Sequence, residues 1–256
     1  KKSIGRYFPI TIGIHNDVKK FVSKLHKKIL EKKIKTDVSI WTKNFIEDRN
    51  KYLQTRDLII KLKSHPIQPN DLFKILRNTL PKDSVITLDA GTLCLQANDN
   101  LNFIKSKSLF TPLDFGLVGF SFACGLGVKL AKPKSPVISL MGDGGFGMTL
   151  SELSTAVKHK INTITIVMNN KSWGAEKAYQ RDFFNKRYIG ANIDSPSFSK
   201  IADLYGAKGY YVKKINNLTK ILKEALKCKK PVVIDIDVDK DALYSFRKDS
   251  FAHKKK

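Results

Sequence analysis

The chain has 256 residues, and its 47 Lys and Arg against 23 Asp and Glu give a formal net charge of +24. That balance can signal nucleic-acid binding, but the lysines are dispersed along the whole chain and accompany no nucleic-acid motif, so we predict no nucleic-acid partner. Three widely spaced cysteines argue against a disulfide framework and suit a cytoplasmic protein, and no apolar run reaches the roughly 18 residues that would predict a membrane span.

The first 64 residues indicate the remnant of one domain followed by a linker. The β-branched run Ile10–Ile14 predicts a strand that ends at His15-Asn16-Asp17, and an amphipathic helix then continues to about Leu30. Residues 31–64 are rich in charge and predict a helical linker. Because the sequence begins with Lys and not Met, we interpret it as a fragment or a processed product.

The main domain is predicted to begin near residues 65–70, where two prolines interrupt both helix and strand. A first helix over Asp71–Thr79 leads to an apolar strand, Val85–Leu88. A second apolar strand, Pro136–Met141, is followed by Gly142-Asp143-Gly144-Gly145. Short apolar runs of this kind are typical of buried parallel strands.

The chain after these glycines alternates between helix and strand. Thr149-Leu150-Ser151-Glu152 fits a capping box, so we predict that a helix begins there. A β-branched run from Ile161 to Met168 is the next strand, and it ends at Asn169-Asn170. Helix, strand, helix and strand are then predicted at residues 197–205, 210–212, 218–226 and 232–238. The alternation predicts an α/β fold with a doubly wound, mostly parallel sheet and helices on both faces.

The glycine-rich turn and the Asn-Asn pair follow two neighbouring strands, so both should lie at the carboxyl edge of the sheet, where α/β proteins bind ligands. Asp143 offers an anionic oxygen and Asn170 a neutral carbonyl oxygen, which are ligands that Mg²⁺ accepts. The glycines allow the backbone to approach phosphate oxygens and to donate N–H groups to them. An isolated Gly-Asp-Gly is most often only a turn, but this strand–helix–strand context favours a joint site for a divalent metal and a diphosphate.

These motifs resemble the cofactor-binding domain of thiamine-diphosphate enzymes, and especially their acetolactate-synthase-like branch. The matching signature runs from Gly142-Asp143-Gly144 to Asn169-Asn170, with further matches at Asp89-Ala90-Gly91-Thr92 and Gly116–Phe120. The resemblance implies thiamine diphosphate and Mg²⁺ as cofactors. The residues it implies for cofactor binding are Ala90, Gly91, Thr92, Gly116, Val118, Gly142, Asp143, Gly144, Gly145, Asn170, Ser172, Trp173, Gly174 and Ala175.

The resemblance also implies the metal ligands and the division of the chain. Asp143, the Asn170 side chain and the backbone carbonyl of Ser172 would bind Mg²⁺. Residues 1–30 would end a central domain, 31–64 would be the helical linker, 65–240 the C-terminal thiamine-diphosphate-binding domain and 241–256 a basic tail.

A partner domain is implied as well. In this superfamily a glutamate activates the cofactor from another domain, usually of the neighbouring subunit, and no residue here matches that glutamate. We therefore expect the chain to act with its own N-terminal pyrimidine-binding domain or subunit, in a homodimer or homotetramer, and to be inactive alone.

The segment after Asn170 carries a narrower resemblance, to the sulfoacetaldehyde acetyltransferases. It begins with Trp173-Gly174-Ala175-Glu176-Lys177 and continues to Asn192. That family converts sulfoacetaldehyde and phosphate into acetyl phosphate and sulfite, so an acyltransferase with small anionic substrates is implied. Since sulfonate and phosphate need cationic or N–H donors, the candidates for binding the substrate anions are Lys177, Arg181 and Arg187.

Two other hypotheses stay open. An acetolactate synthase, or a 2-oxoacid decarboxylase of the sulfopyruvate type, would use the same cofactor on a different substrate. Val118 stands where acetolactate synthases commonly have Met, which argues against that assignment more than against the superfamily. A hypothesis of another class is a non-catalytic, basic interaction fragment.

Overall fold

In the computed structural model, residues 4–58, 66–112 and 115–244 are described, without the side chains of residues 56–58. The chain divides into two compact units, Lys1–Arg56 and Asp57–Lys256. Among the described residues, no helix combines the length and the apolar composition that a membrane crossing requires.

The first unit contains helix α1 (Val18–Glu31) and most of helix α2 (Ser39–Leu58). The predicted amphipathic helix is α1, which begins after Asp17, whose carboxylate accepts a hydrogen bond from an N–H group of the first turn. The predicted strand over Ile10–Ile14 is wrong, because these residues form no strand and are exposed. A β-branched run becomes a strand only where a second strand pairs with its backbone groups, and the described part of this unit contains no strand.

The second unit is built around one six-stranded sheet in which every neighbouring pair of strands is parallel. The strands are β1 (Val85–Leu88), β2 (Leu109–Phe110), β3 (Val137–Gly142), β4 (Ile164–Asn169), β5 (Lys208–Val212) and β6 (Val232–Asp237), in the spatial order β2-β1-β3-β4-β6-β5. The strands β1, β3, β4 and β6 are buried along almost their whole length. Burial on both faces explains their continuous apolar sequences.

Helices cover both faces of the sheet, which confirms the predicted doubly wound α/β fold. The helices of this unit are α3 (Pro69–Thr79), α4 (Thr92–Asn100), α5 (Phe120–Ala131), α6 (Asp143–Thr149), α7 (Leu153–Lys158), α8 (Gly174–Phe183), α9 (Phe198–Leu204) and α10 (Leu218–Lys227). Apolar side chains of α3, α4 and α10 form the core on one face, and those of α5, α6, α7 and α9 form it on the other. The chain leaves β1 toward β2 and returns to β3, so the connections change direction between β1 and β3. Folds of this class bind ligands at such a point.

A 3-10 turn begins directly after Thr149, at Leu150, and leads into α7, so the predicted helix start is confirmed, whereas the predicted capping-box hydrogen bonds are wrong. Helix α6 begins earlier, at Asp143, and the Thr149 hydroxyl donates backwards to the carbonyl of Gly145 at 3.4 Å. The Glu152 carboxylate accepts a hydrogen bond from the Thr155 hydroxyl instead of bonding to the backbone N–H of Thr149. The early start of α6 places the first turn of a helix directly at the end of β3.

The residues after β6 return to the domain. Gln96 donates a hydrogen bond to the carbonyl of Ala242 at 2.9 Å, and Leu243 is buried. The first residues of the segment predicted as a basic tail are therefore packed, while residues 245–256 lie outside the described residues. The four predicted parts of the chain stay predictions.

Candidate functional site

A cavity of about 560 Å³ opens at the carboxyl edge of the sheet, at the ends of β1, β3 and β4. Its volume lies within the range of roughly 300–1,000 Å³ that is usual for small-molecule sites. The wall includes every residue predicted to bind the cofactor except Asp143. This residue is buried, and its two neighbours in the sequence both line the wall. The predicted residues in the wall are Ala90, Gly91, Thr92, Gly116, Val118, Gly142, Gly144, Gly145, Asn170, Ser172, Trp173, Gly174 and Ala175.

Asp143 follows β3 directly and is 1% exposed. Its Oδ2 accepts a hydrogen bond from the Ser195 hydroxyl at 2.5 Å, whereas its Oδ1 is buried without a hydrogen-bond partner. Burial raises the pKa of the Asp143 carboxyl, and the bond from Ser195 together with the nearby backbone N–H groups of Asp143, Asn170 and Gly144 opposes that rise. An unsatisfied buried carboxylate oxygen costs free energy, so the structure presents an acceptor that a cation can satisfy.

Asn170 lies one residue beyond β4, which pairs directly with β3, so Asn170 and Asp143 follow adjacent strands at the same edge. The Asn170 Oδ1 accepts a hydrogen bond from the backbone N–H of Ser172 at 3.2 Å, which closes a tight turn. Among the described residues, no group of three or more His, Cys, Asp or Glu could hold a metal ion. A metal at this edge therefore requires amide and backbone oxygens beside the one carboxylate, and Mg²⁺ accepts such a set.

Two helices begin at the cavity wall. The first turns of α4 and α8, at Thr92–Cys94 and Gly174–Glu176, both line it. Neither helix has a side chain that caps its first N–H groups, and uncapped N-terminal N–H groups attract anions. Gly91, which precedes α4, has a φ of 115°, a conformation that favours glycine.

Two glycines of α6 permit close contacts within the wall. A Cβ atom on Gly144 would lie 2.5 Å from the Trp173 ring, and a Cβ atom on Gly145 would collide with Oδ2 of Asp89. The consecutive glycines are therefore required by the packing of α6 against the end of β1 and against the turn after β4.

Asp89 supports the wall without lining it. Its two carboxylate oxygens accept hydrogen bonds from the backbone N–H groups of Gly119 at 3.0 Å and Ser121 at 3.2 Å. These bonds fasten the turn that carries Val118 to the end of β1. The resemblance implied that Ala90, Gly91 and Thr92 bind the cofactor. These three residues line the wall, while Asp89 holds the neighbouring turn.

Asp89 should make stability depend on pH. Burial raises its pKa above 3.8, against the opposing effect of backbone N–H bonds. Because the folded-state pKa is the higher one, ionised Asp89 costs stability, and this cost is relieved as the pH falls through the raised pKa toward 3.8. We expect the unfolding free energy of the wild type to rise relative to that of Asp89→Asn over this window, with a slope of at most about 1.4 kcal/mol per pH unit. Denaturant unfolding of both proteins from about pH 7 to about pH 4 measures the difference; a shift in the opposite direction would contradict the raised pKa.

The three cations predicted to bind substrate anions do not line the cavity. Lys177 is 5% exposed, and its Nζ lies 3.7 Å from an Asp241 carboxylate oxygen. Arg181 is paired with Asp182 at 2.7 Å. Arg187 is exposed, and its Nε donates to the carbonyl of Phe184, the residue after α8. The structure thus brings the metal and diphosphate candidates together and leaves these charges outside the wall.

Some residues at the site were not predicted. Ser195 contacts Asp143 across 52 positions of sequence, from a segment without regular structure, so no periodicity could reveal it. Glu176 was not among the predicted site residues, but it belongs to the first turn of α8 and lines the cavity. Asp239 and Ala242 join the wall from the segment after β6.

The comparison with protein families decides the assignment. Residues 89–236, more than half of the chain, match the family described as "Thiamine pyrophosphate enzyme, C-terminal TPP binding domain". The chain belongs to this family. The match extends from the end of β1 to β6 and so contains most of the cavity wall. The predicted resemblance to thiamine-diphosphate enzymes is confirmed.

Curated relatives of this thiamine pyrophosphate enzyme domain include members of both branches that the sequence suggested. The sulfoacetaldehyde acetyltransferase of Castellaniella defragrans is 29% identical over 98% of this chain and 46% of its own. A probable acetolactate synthase large subunit of Methanococcus aeolicus is 27% identical over 94% of this chain and 42% of its own. The chain spans less than half the length of these relatives.

A solved structure supports the same fold. The thiamine diphosphate-dependent 4-hydroxybenzoylformate decarboxylase of Rhodococcus jostii RHA1 aligns with a TM-score of 0.65 and 25% identity, over 69% of this chain and 33% of its own. The six parallel strands and their helices therefore form a fold that thiamine-diphosphate enzymes use.

Proposed function

We propose that this chain is the cofactor-binding part of a thiamine-diphosphate- and Mg²⁺-dependent acyltransferase that converts sulfoacetaldehyde and phosphate into acetyl phosphate and sulfite. The observation that carries the cofactor assignment is the buried, unpartnered Oδ1 of Asp143 beside a wall with two uncapped helix N-termini. The similarity to the Castellaniella defragrans acetyltransferase and the segment from Trp173 to Asn192 support the choice of substrate.

The side chains fit a magnesium ion. Asp143 would contribute its free carboxylate oxygen, Asn170 its amide oxygen and Ser172 its backbone carbonyl oxygen. One anionic and two neutral oxygens leave room for phosphate oxygens and water, which Mg²⁺ retains in most protein sites.

The backbone fits a diphosphate. The N-terminal turns of α4 and α8 both line the cavity. Gly91, Gly144 and Gly145 also line it and leave the backbone accessible there. N–H groups and helix dipoles of this kind stabilise phosphate oxygens. Val118, in the wall and held by the Asp89 turn, would support the organic part of the cofactor.

When bound, thiamine diphosphate would supply two things: a carbanion that can add to a carbonyl carbon, and a ring that can accept electrons. The residues of this chain would bind the diphosphate and the ion, fix their position and cover one side of the reacting centre. We assign no activating glutamate in this chain, and we place it on an N-terminal pyrimidine-binding domain or subunit within a homodimer or homotetramer. In this proposal the isolated chain is inactive. A cytoplasmic location is part of the proposal and agrees with three free cysteines.

Arg187 lies outside the cavity wall of this chain, and it stays the candidate for contacting a substrate anion because Lys177 and Arg181 are already paired with carboxylates. Loss of one charge-assisted contact costs about 1.5–3 kcal/mol, so Arg187→Ala should raise the KM for phosphate or for sulfoacetaldehyde by roughly tenfold or more. Steady-state kinetics of the complete enzyme measure both constants. The adjacent, exposed Lys186→Ala is the control and should leave them unchanged; equal constants for Arg187→Ala and wild type would identify Arg187 as a surface charge.

The complete enzyme, supplied with thiamine diphosphate, Mg²⁺, sulfoacetaldehyde and phosphate, tests the reaction when sulfite and acetyl phosphate are assayed together. Equimolar appearance of both products is the expected result. Absence of both, with acetolactate or CO₂ formed from a 2-oxoacid, would move the function to the second candidate. That candidate, an acetolactate synthase or a 2-oxoacid decarboxylase, is favoured by the similarity to the Methanococcus aeolicus and Rhodococcus jostii proteins.

A further inference from the structure

The segment of residues 191–195, here called the strap, runs beside the turn after β4. Its Ala191 carbonyl accepts a hydrogen bond from the N–H of Trp173 at 2.8 Å, and its Ile193 N–H donates to the carbonyl of Lys171 at 3.0 Å. These bonds hold the strap against the turn that contains Asn170 and Ser172. The strap then brings the Ser195 hydroxyl to within 2.5 Å of Oδ2 of Asp143.

A buried carboxylate anchors the end of the strap. Asp235 lies within β6 and is 2% exposed. Its Oδ1 accepts a hydrogen bond from Nδ2 of Asn169 at 3.1 Å, and its Oδ2 accepts one from the N–H of Phe198 at 3.0 Å. One side chain therefore ties the last residue of β4 to the first residue of α9, which lies shortly after Ser195. Both sides of the proposed metal site share this anchor.

We propose that Ser195 is a positioning residue for the metal site: it occupies Oδ2 of Asp143 and so keeps Oδ1 available for Mg²⁺, while Asp235 fixes the strap that carries it. The inference rests on the proposed function of the site. Its physical basis is that a carboxylate held by one oxygen keeps a single rotamer, so no orientation has to be selected when the ion binds. Mutating a group that orients a metal ligand in this way typically lowers the metal affinity by about 10- to 100-fold.

The first test compares Ser195→Ala with Ser195→Thr in the complete enzyme. Mg²⁺ is titrated at saturating thiamine diphosphate, and its affinity is measured by isothermal titration calorimetry. Ser195→Ala should weaken Mg²⁺ affinity by roughly 10- to 100-fold. Ser195→Thr keeps a hydroxyl and should stay within about threefold of the wild type. An unchanged Mg²⁺ affinity in Ser195→Ala would overturn the inference.

The second test uses the anchor and does not depend on Ser195 variants. Asparagine at position 235 offers one acceptor oxygen where two N–H donors converge, so Asp235→Asn must lose a bond and should weaken Mg²⁺ affinity by roughly tenfold. Asp237→Asn, two positions along the same strand and more exposed, is the control and should leave the affinity unchanged. Equal affinities for Asp235→Asn and Asp237→Asn would remove the anchor from the proposal. A wild type that binds neither Mg²⁺ nor thiamine diphosphate would instead refute the proposed function, so the two failures are distinguishable.

Discussion

Replacing Asp143 with Ala is expected to abolish Mg²⁺-dependent binding of thiamine diphosphate, with a loss of affinity above about 100-fold, beyond the range of outer-sphere substitutions. Asp143 supplies the one buried carboxylate of the proposed metal site, and its Oδ1 has no other partner. Without it, the ion would be left with neutral oxygens, which bind Mg²⁺ poorly in the absence of a negative charge. Calorimetric titration of thiamine diphosphate into the complete enzyme, with and without Mg²⁺, measures the loss.

Two companion variants make the result specific. Asp143→Asn keeps an acceptor for the Ser195 hydroxyl but removes the charge, so it should lose nearly as much affinity while it stays folded. Asp83→Ala removes an exposed carboxylate at the opposite end of β1 and should bind as the wild type does. Thiamine diphosphate affinity that is equal in wild type and Asp143→Ala would remove the central argument for the site.

The predictions that succeeded depended on signals contained in one short stretch of sequence. Val85–Leu88 is the observed β1, and the predicted strands beside the glycine turn and Asn169-Asn170 differ from β3 and β4 by only a few residues. Buried parallel strands show continuous apolar runs. Their carboxyl ends lie at the same edge of the sheet, and this does not depend on the conformation of the loops. The pairing of β3 with β4 therefore brings the two motifs together as expected.

The predictions that failed depended on partners elsewhere in the chain. Ile10–Ile14 has the composition of a strand, but nothing in the described part of its unit pairs with it. Thr149 to Glu152 has the letters of a capping box, and a helical turn does begin at Leu150, but the Thr149 hydroxyl bonds back to the Gly145 carbonyl of α6 and does not cap the new turn. A local pattern cannot report which distant groups will compete for the same backbone.

The charged and polar side chains near the site show the same limit of local sequence patterns. Lys177 looked like an anion-binding residue because of its place after the metal motif, yet it is buried against Asp241 from the segment after β6. Ser195 carried no signal at all, since its role depends on a strap that regular periodicity does not describe. The residues of the cofactor signature could be recognised from the sequence. The side chains that contact and orient them could be identified only from the fold.

Two glycines of the same short helix should respond to the same substitution with opposite signs. A Cβ atom on Gly145 collides with the Asp89 carboxylate, which is fully buried and holds Gly119 and Ser121. Overpacking costs about 1–3 kcal/mol, and the disturbed hydrogen bonds add about 1 kcal/mol, so Gly145→Ala should lower the unfolding free energy by at least about 2 kcal/mol. A Cβ atom on Gly147 meets nothing within 4 Å, so Gly147→Ala should raise that free energy by about 0.5–1 kcal/mol, because alanine favours the helix over the unfolded chain.

Denaturant unfolding of the two variants and the wild type measures both signs in one experiment. The comparison is strict because both glycines lie in α6 and receive the same methyl group, so intrinsic helix propensity favours alanine at either position. Only the neighbours differ, and a stabilised Gly145→Ala would mean that Asp89 can move without cost. Since Asp89 also fastens the turn that carries Val118, Gly145→Ala should weaken thiamine diphosphate binding in the folded protein as well. Gly147→Ala, which lies outside the cavity wall, should bind thiamine diphosphate as tightly as the wild type.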